Sequence, residues 1–190
     1  MKHPWLTFTG LCAVVLAIVM ICVIFGSYTS MLRSKNRVHA AENLVVTACR
    51  NQLSLIPELL SVAPESVDPQ IRSRIGDASE QLQTVLIRLQ ASEAPLDPDL
   101  VTEFEQTHSR LAMDLDTLAR NIGNTHPRVR EMADLYLKTI YAARRYNKEV
   151  TYFHTRKKVF PGMFTAGWFN LDTLRFPEID PTCFEPWGLK

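Results

Sequence analysis

Apolar residues fall into one unbroken block followed by four interrupted stripes. From Pro4 to Leu32 there is no Asp, Glu, Lys, Arg or His over 29 residues. As a helix rising about 1.5 Å per residue, such a block is roughly 44 Å long, the thickness of a bilayer with its headgroups. Its interior, Leu11 to Phe25, is Ala, Val, Leu, Ile, Met and Cys up to the closing Phe. Trp5 and Tyr28 stand near its ends, where amphipathic rings favour the membrane interface. The block predicts a transmembrane helix over 5–32 behind a short tail of residues 1–4. A cleaved signal peptide would have an apolar core of about 7–15 residues and a small-x-small cleavage site. A lipoprotein signal would place a small residue before its cysteine, whereas Leu11 and Ile21 precede Cys12 and Cys22.

Beyond Leu32 the pattern changes to a spacing of three and four, which places residues on one helix face. The first stripe is Val38, Ala41, Val45, Ala48, Gln52, Leu55 and Leu59. No stop signal separates it from the membrane block, so one rod is expected to run to about Leu60, kinked near its end by Pro57. Asp68-Pro69 opens the second helix, with Ile71, Ile75, Ala78, Leu82, Val85 and Leu89 on one face. Asp97-Pro98 opens the third, with Val101, Phe104, His108, Leu111, Leu115, Leu118 and Ile122. After Gly123 to Pro127 the fourth runs to about Lys158, carrying Met132, Tyr136, Ile140, Ala143, Asn147, Val150 and His154. Short links make neighbours antiparallel. No segment alternates as a strand does. The expected fold class is all-α: a transmembrane helix continuing into an antiparallel four-helix bundle over 33–158, then an aromatic-rich tail over 159–190.

Charge adds orientation and order. Arg33, Lys35 and Arg37 follow the apolar block, against Lys2 and the amino terminus before it. That bias predicts an outside N-terminus and a cytoplasmic C-terminal domain. Cys49 and Cys183, far apart in sequence, fit unpaired cytosolic thiols. Residues 90–125 hold seven acids and two bases, a net of −5, whereas 126–160 hold nine bases and three acids, a net of +6. Direct pairing of the third and fourth helices is expected to bring Glu103 and Glu105 near Arg144 and Arg145. The fourth helix ends in Arg156, Lys157 and Lys158. Then comes an uncharged segment with Phe160, Met163, Phe164, Trp168 and Phe169. Helix order returns this cluster to the membrane side. There it predicts either a second, peripheral contact with lipid or an aromatic cap on the bundle.

The totals, 21 basic against 20 acidic residues, leave a net charge of +1 and speak against nucleic-acid binding by bulk charge. Seven glycines are few for a turn-rich β protein, and four cysteines are few for a disulfide scaffold.

Two blocks resemble the LemA family of bacterial membrane proteins. The first is Tyr28-Thr-Ser-Met-Leu-Arg-Ser-Lys-Asn-Arg-Val38 with Leu55-Ile-Pro-Glu-Leu59. The second, more specific, is Ala143-Arg-Arg-Tyr-Asn-Lys-Glu-Val150 followed by Phe153, His154, Phe160-Pro161, Ala166 and Phe169. Thr29 stands where the family usually has Asn, and Phe153-His154 where it has Tyr-Asn. The resemblance implies a membrane helix, a helical bundle and an outside N-terminus in the bacterial inner membrane. The family has no agreed activity, and one branch is associated with forming magnetosome membranes.

Candidate chemistry is sparse. Glu105-x-x-His108 has the spacing found in di-iron bundles, but those need two copies and two further glutamates. No phosphate-binding glycine loop, Cys-x-x-Cys or nucleophile elbow occurs. No metal or cofactor is expected. Asn147, with Gln52 and His154, is expected to form a polar layer in the bundle that fixes register. The expected role is a membrane-anchored, non-enzymatic scaffold that self-associates or docks other membrane proteins. An accessory subunit of a protease or transport system is the alternative, and a di-metal enzyme is a distant third.

Overall fold

A computed structural model describes the backbone of residues 4–92 and 97–184, and side chains from residue 10 onward within those ranges. Among the described residues the chain is all-helical. Helix α1 spans Pro4–Ser61, α2 Pro69–Ala91, α3 Pro98–Ile122, α4 Pro127–Lys158 and α5 Gly162–Trp168. Short 3-10 turns follow at Leu171–Thr173 and Pro181–Phe184.

The starts of α2, α3 and α4 share one local device. In each, proline occupies the first turn, where its missing N–H costs nothing, and the preceding side chain accepts from a backbone N–H. Asp68 accepts from Gln70, Asp97 from Asp99, and His126 from Arg128. Helix α1 continues through Pro57 to Ser61, a 58-residue rod.

The core follows the stripes closely. Val38, Ala41, Val45, Leu55 and Leu59 of α1 are buried, with Cys49 taking the place expected for Ala48. Ile75, Leu82 and Val85 of α2, Phe104, Leu111 and Leu115 of α3, and Met132, Tyr136 and Ala143 of α4 complete one continuous core. By contrast, from Leu11 to Phe25 of α1 the large apolar side chains are exposed, apart from half-buried Ile24. This part of the rod is long and apolar enough to cross a membrane.

Packing is unequal. Helix α1 lies mainly against α4, and α2 mainly against α3. Along α1 and α4, Glu58 pairs with Arg128 at 2.7 Å, Gln52 bonds Thr139, and Ser27 at the other end meets Thr165 beyond α4. Residue numbers thus fall on one helix as they rise on the other. Between α2 and α3 the ion pairs are Arg74–Asp114 and Arg88–Glu103.

The chain after α5 explains why α3 and α4 do not pair as expected. It turns back, and its second 3-10 turn packs on both helices. Phe176, Ile179 and Phe184 are buried in the common core. The tail therefore packs on both the acidic and the basic helix, which meet each other where the His108 and Tyr136 rings lie 5.5 Å apart. Glu103 bonds Arg88 of α2 instead, and Glu105 accepts the Asp180 N–H at 2.6 Å. Arg144 and Arg145 are exposed.

Candidate membrane-boundary site

The residues expected at the membrane surface separate into two groups once α5 is placed. Gly162, Thr165 and Ala166 are buried on one face of α5. Their spacing of three and four makes a face of small residues, which lets α5 lie close against α1. The Thr165 hydroxyl meets the Ser27 hydroxyl at 2.9 Å and approaches the sulfur of Met31 at 3.4 Å. Tyr28 stacks on Phe169 with ring centres 4.3 Å apart. A Cβ at Gly162 would overlap the carbonyl oxygen of Arg156, so only glycine allows this turn from α4.

The large residues of this segment stay exposed. Trp168 is 66% exposed and Phe160 65%, and Met163, Phe164, Phe169 and Val159 are exposed as well. So many exposed apolar side chains in one segment mark an interaction surface. Their level is informative. Helix α5 sits beside residues 27–31, the last turns of the uncharged block, which begin about 3 Å beyond Phe25. Arg33 and Arg37 are exposed just below, Lys35 is half-buried, and Lys158 and half-buried Arg156 end α4. Rings above cations is the order of a bilayer interface. The side chain of Trp5 lies outside the described residues.

Lys157 departs from this group. Its ammonium donates to the carbonyls of Asp172 and Leu174 at 2.8 and 3.0 Å, and burial lowers its pKa. It fastens the returning tail. The aromatic tail is thus two things: α5 packed against residues 27–31 of α1, and residues 171–184 packed into the helical body. The last six residues, 185–190, lie outside the described residues.

The expected polar layer of Gln52, Asn147 and His154 is also redistributed. Asn147 donates to the Ile179 carbonyl at 2.6 Å and accepts the Ile179 N–H at 2.9 Å, pairing with the tail as a strand neighbour would. His154 bonds the Phe176 carbonyl, and the Tyr146 hydroxyl donates to the Pro177 carbonyl at 2.9 Å. Phe153 packs edge-on to Phe176. The block Tyr146 to His154 is therefore a binding strip for the tail. A buried backbone without a strand partner needs such side-chain bonds.

Gln52 belongs to a different network, which includes the histidine of Glu105-x-x-His108. Fully buried His108 meets Gln52 Oε1 through Nε2 at 2.9 Å and the Cys183 carbonyl through Nδ1 at 3.3 Å. Gln52 Nε2 donates to Thr139, which donates to the Leu135 carbonyl. Burial lowers the pKa of His108 to about 4, more than the Cys183 carbonyl raises it. A neutral ring has one N–H. It satisfies both neighbours once the Gln52 amide is turned by half a rotation: Nδ1–H donates to Cys183, Nε2 accepts from the amide, and Thr139 gives its one hydrogen to the amide oxygen in place of the Leu135 carbonyl. The network ties α1, α3, α4 and the tail together.

His108 is thus committed to internal bonds and Glu105 to the tail. Among the described residues no group of three or more His, Cys, Asp or Glu side chains is placed to hold a metal ion.

The boundary geometry predicts a spectroscopic result. With Trp5 and Trp187 replaced by phenylalanine, Trp168 in lipid nanodiscs should emit at short wavelength and be quenched by brominated acyl chains. Water-like, unquenched emission would leave α5 without lipid contact. Compared with models of known protein families, with curated proteins and with solved structures, the chain matches none.

Proposed function

We propose that this chain is a single-pass membrane scaffold. Its N-terminus lies outside, residues 5–32 cross the bilayer, and an antiparallel four-helix bundle closed by the tail stands in the cytoplasm. The observation that carries this reading is the placement of α5. Its exposed aromatics stand level with the end of the uncharged part of α1. One continuous helix plus one surface helix holds the bundle at a defined height and tilt, which a single flexible anchor would not do. Such a body is suited to assembly at a membrane surface and needs no reaction of its own. The blocks resembling the LemA family support the same role, because Tyr28 and Phe169 seat α5 and Tyr146 to His154 hold the tail. By this reading the protein belongs to a bacterial inner membrane.

Self-association is the form of scaffolding proposed, with docking of other membrane proteins as the accessory alternative. Leu44 and Tyr141, exposed along the seam of α1 and α4, supply apolar surface for it. The test is the mass of the full chain in mild detergent by light scattering. A homo-oligomer is expected. A lone monomer at all concentrations would sink self-association and favour the accessory role.

A further inference from the structure

Where α4 turns into α5 a recess of about 260 Å³ opens against α1. Its lining includes Ser27, Ser30 and Met31 on one side and Arg156, Val159 and Phe160 on the other. We propose that this recess binds the phosphate of an anionic phospholipid, with Arg156 and Ser30 as its ligands. The proposal rests on the membrane-spanning reading above and gives that boundary a specific occupant.

Four observations support it. The Arg156 guanidinium lies over the Tyr152 ring, 4.9 Å from its centre, and has no carboxylate partner among the described residues. Stacking on a ring face leaves the N–H edge of a guanidinium free, and that planar edge matches two phosphate oxygens. Arg33, Lys35, Arg37 and Lys158 surround the level, and in sequence the nearest acids are Glu42, Glu149 and Asp172. One turn beyond Ser30, buried Ser34 has a hydroxyl without a hydrogen-bond partner. The spacing of four puts both hydroxyls on one side of α1, and of the two only Ser30 lines the recess. Finally, the volume is below the roughly 300–1,000 Å³ of sites that enclose a whole small molecule. It suits a headgroup whose acyl chains stay outside, along the apolar part of α1 and Phe160. Lys157 cannot serve, being bonded to the tail.

The experiment is lipid titration of the full chain in neutral detergent, read by native mass spectrometry. Short-chain phosphatidylglycerol, short-chain phosphatidylcholine and inorganic phosphate are the three probes. Phosphatidylglycerol, the anionic lipid, should bind best, and Arg156→Ala should weaken it about fivefold or more. Lys158→Ala and Arg130→Ala, the latter at the far end of α4, should weaken it less than twofold. Helix content by circular dichroism shows that each variant is folded. Equal binding of both lipids, or unchanged binding in Arg156→Ala, would overturn the proposal. So would equal losses from Arg156→Ala and Lys158→Ala, which indicate diffuse charge. Inorganic phosphate binding as tightly as the lipid would identify a free anion as the ligand and remove the lipid. Detergent-phase partitioning of the wild type separates the two readings. A chain left in the aqueous phase refutes membrane insertion, whereas the lipid titration judges the recess.

Discussion

Phe184→Ala is expected to destabilise the full chain by about 3–5 kcal/mol, the cost of emptying a fully buried aromatic site. Phe184 is 0% exposed, with its ring 4.6 Å from His108 and 5.8 Å from Phe104 between centres. Its loss does more than open a cavity. The Cys183 carbonyl, one residue earlier, holds Nδ1 of His108. A loosened tail end would expose that bond, and the whole polar network, to water. Against a typical total of about 5–15 kcal/mol the loss is large. Urea unfolding in mild detergent, followed by circular dichroism, measures it. Trp168→Ala removes a larger ring from an exposed position and should change stability by no more than about 0.5 kcal/mol. If the two variants unfold alike, residues 176–184 are an appendage and not a wall of the core.

The second large effect is a dependence on pH. The folded ring of His108 takes up a proton only near pH 4, whereas an unfolded histidine does so near 6.5. Between these values the unfolded chain binds more protons, so stability rises with pH across the window. The contribution is complete above pH 6.5, falls as the pH drops toward 4 and levels off below. Over the whole window it amounts to about 3 kcal/mol. Carboxylates also titrate in the lower part of this range, so the measurement is a difference. Wild type should lose about 2–3 kcal/mol more than His108→Gln between pH 7.5 and 4.5. Equal losses would mean that His108 is hydrated in the folded protein.

The residues around α5 are partly legible in the sequence. Arg156, Phe160, Phe164, Trp168 and Phe169 read as a basic cluster followed by uncharged aromatics, and helix order predicts them at the end of the body that carries the apolar block. Lys157 looked identical to its neighbours, because a lysine bonded to two carbonyls has no signature in sequence. Asn147 and His154 were recognisable as polar residues in an apolar stripe. Their partner was not, since the segment that covers them has no periodicity of its own. Residues 176–184 carry prolines, acids and scattered apolar side chains, a pattern shared with loops. His108 fitted the seam of α3 by spacing alone, and nothing local marked it as the centre of a network.

Unlike the short helix α5, the first four helices, the aspartates that open α2 and α3, the apolar block and most core positions are written in the sequence. Each is set by interactions within a few residues, where proline geometry, side-chain periodicity and transfer from water leave a direct trace. What the fold adds is that the tail packs on both α3 and α4, that Gln52 and His108 meet, and that α5 turns its small face to Ser27 and Met31. These depend on pairs 31 to 138 residues apart in the chain. A single carbonyl or hydroxyl is the same at every position until the fold removes its water, and only then does the choice of partner carry energy.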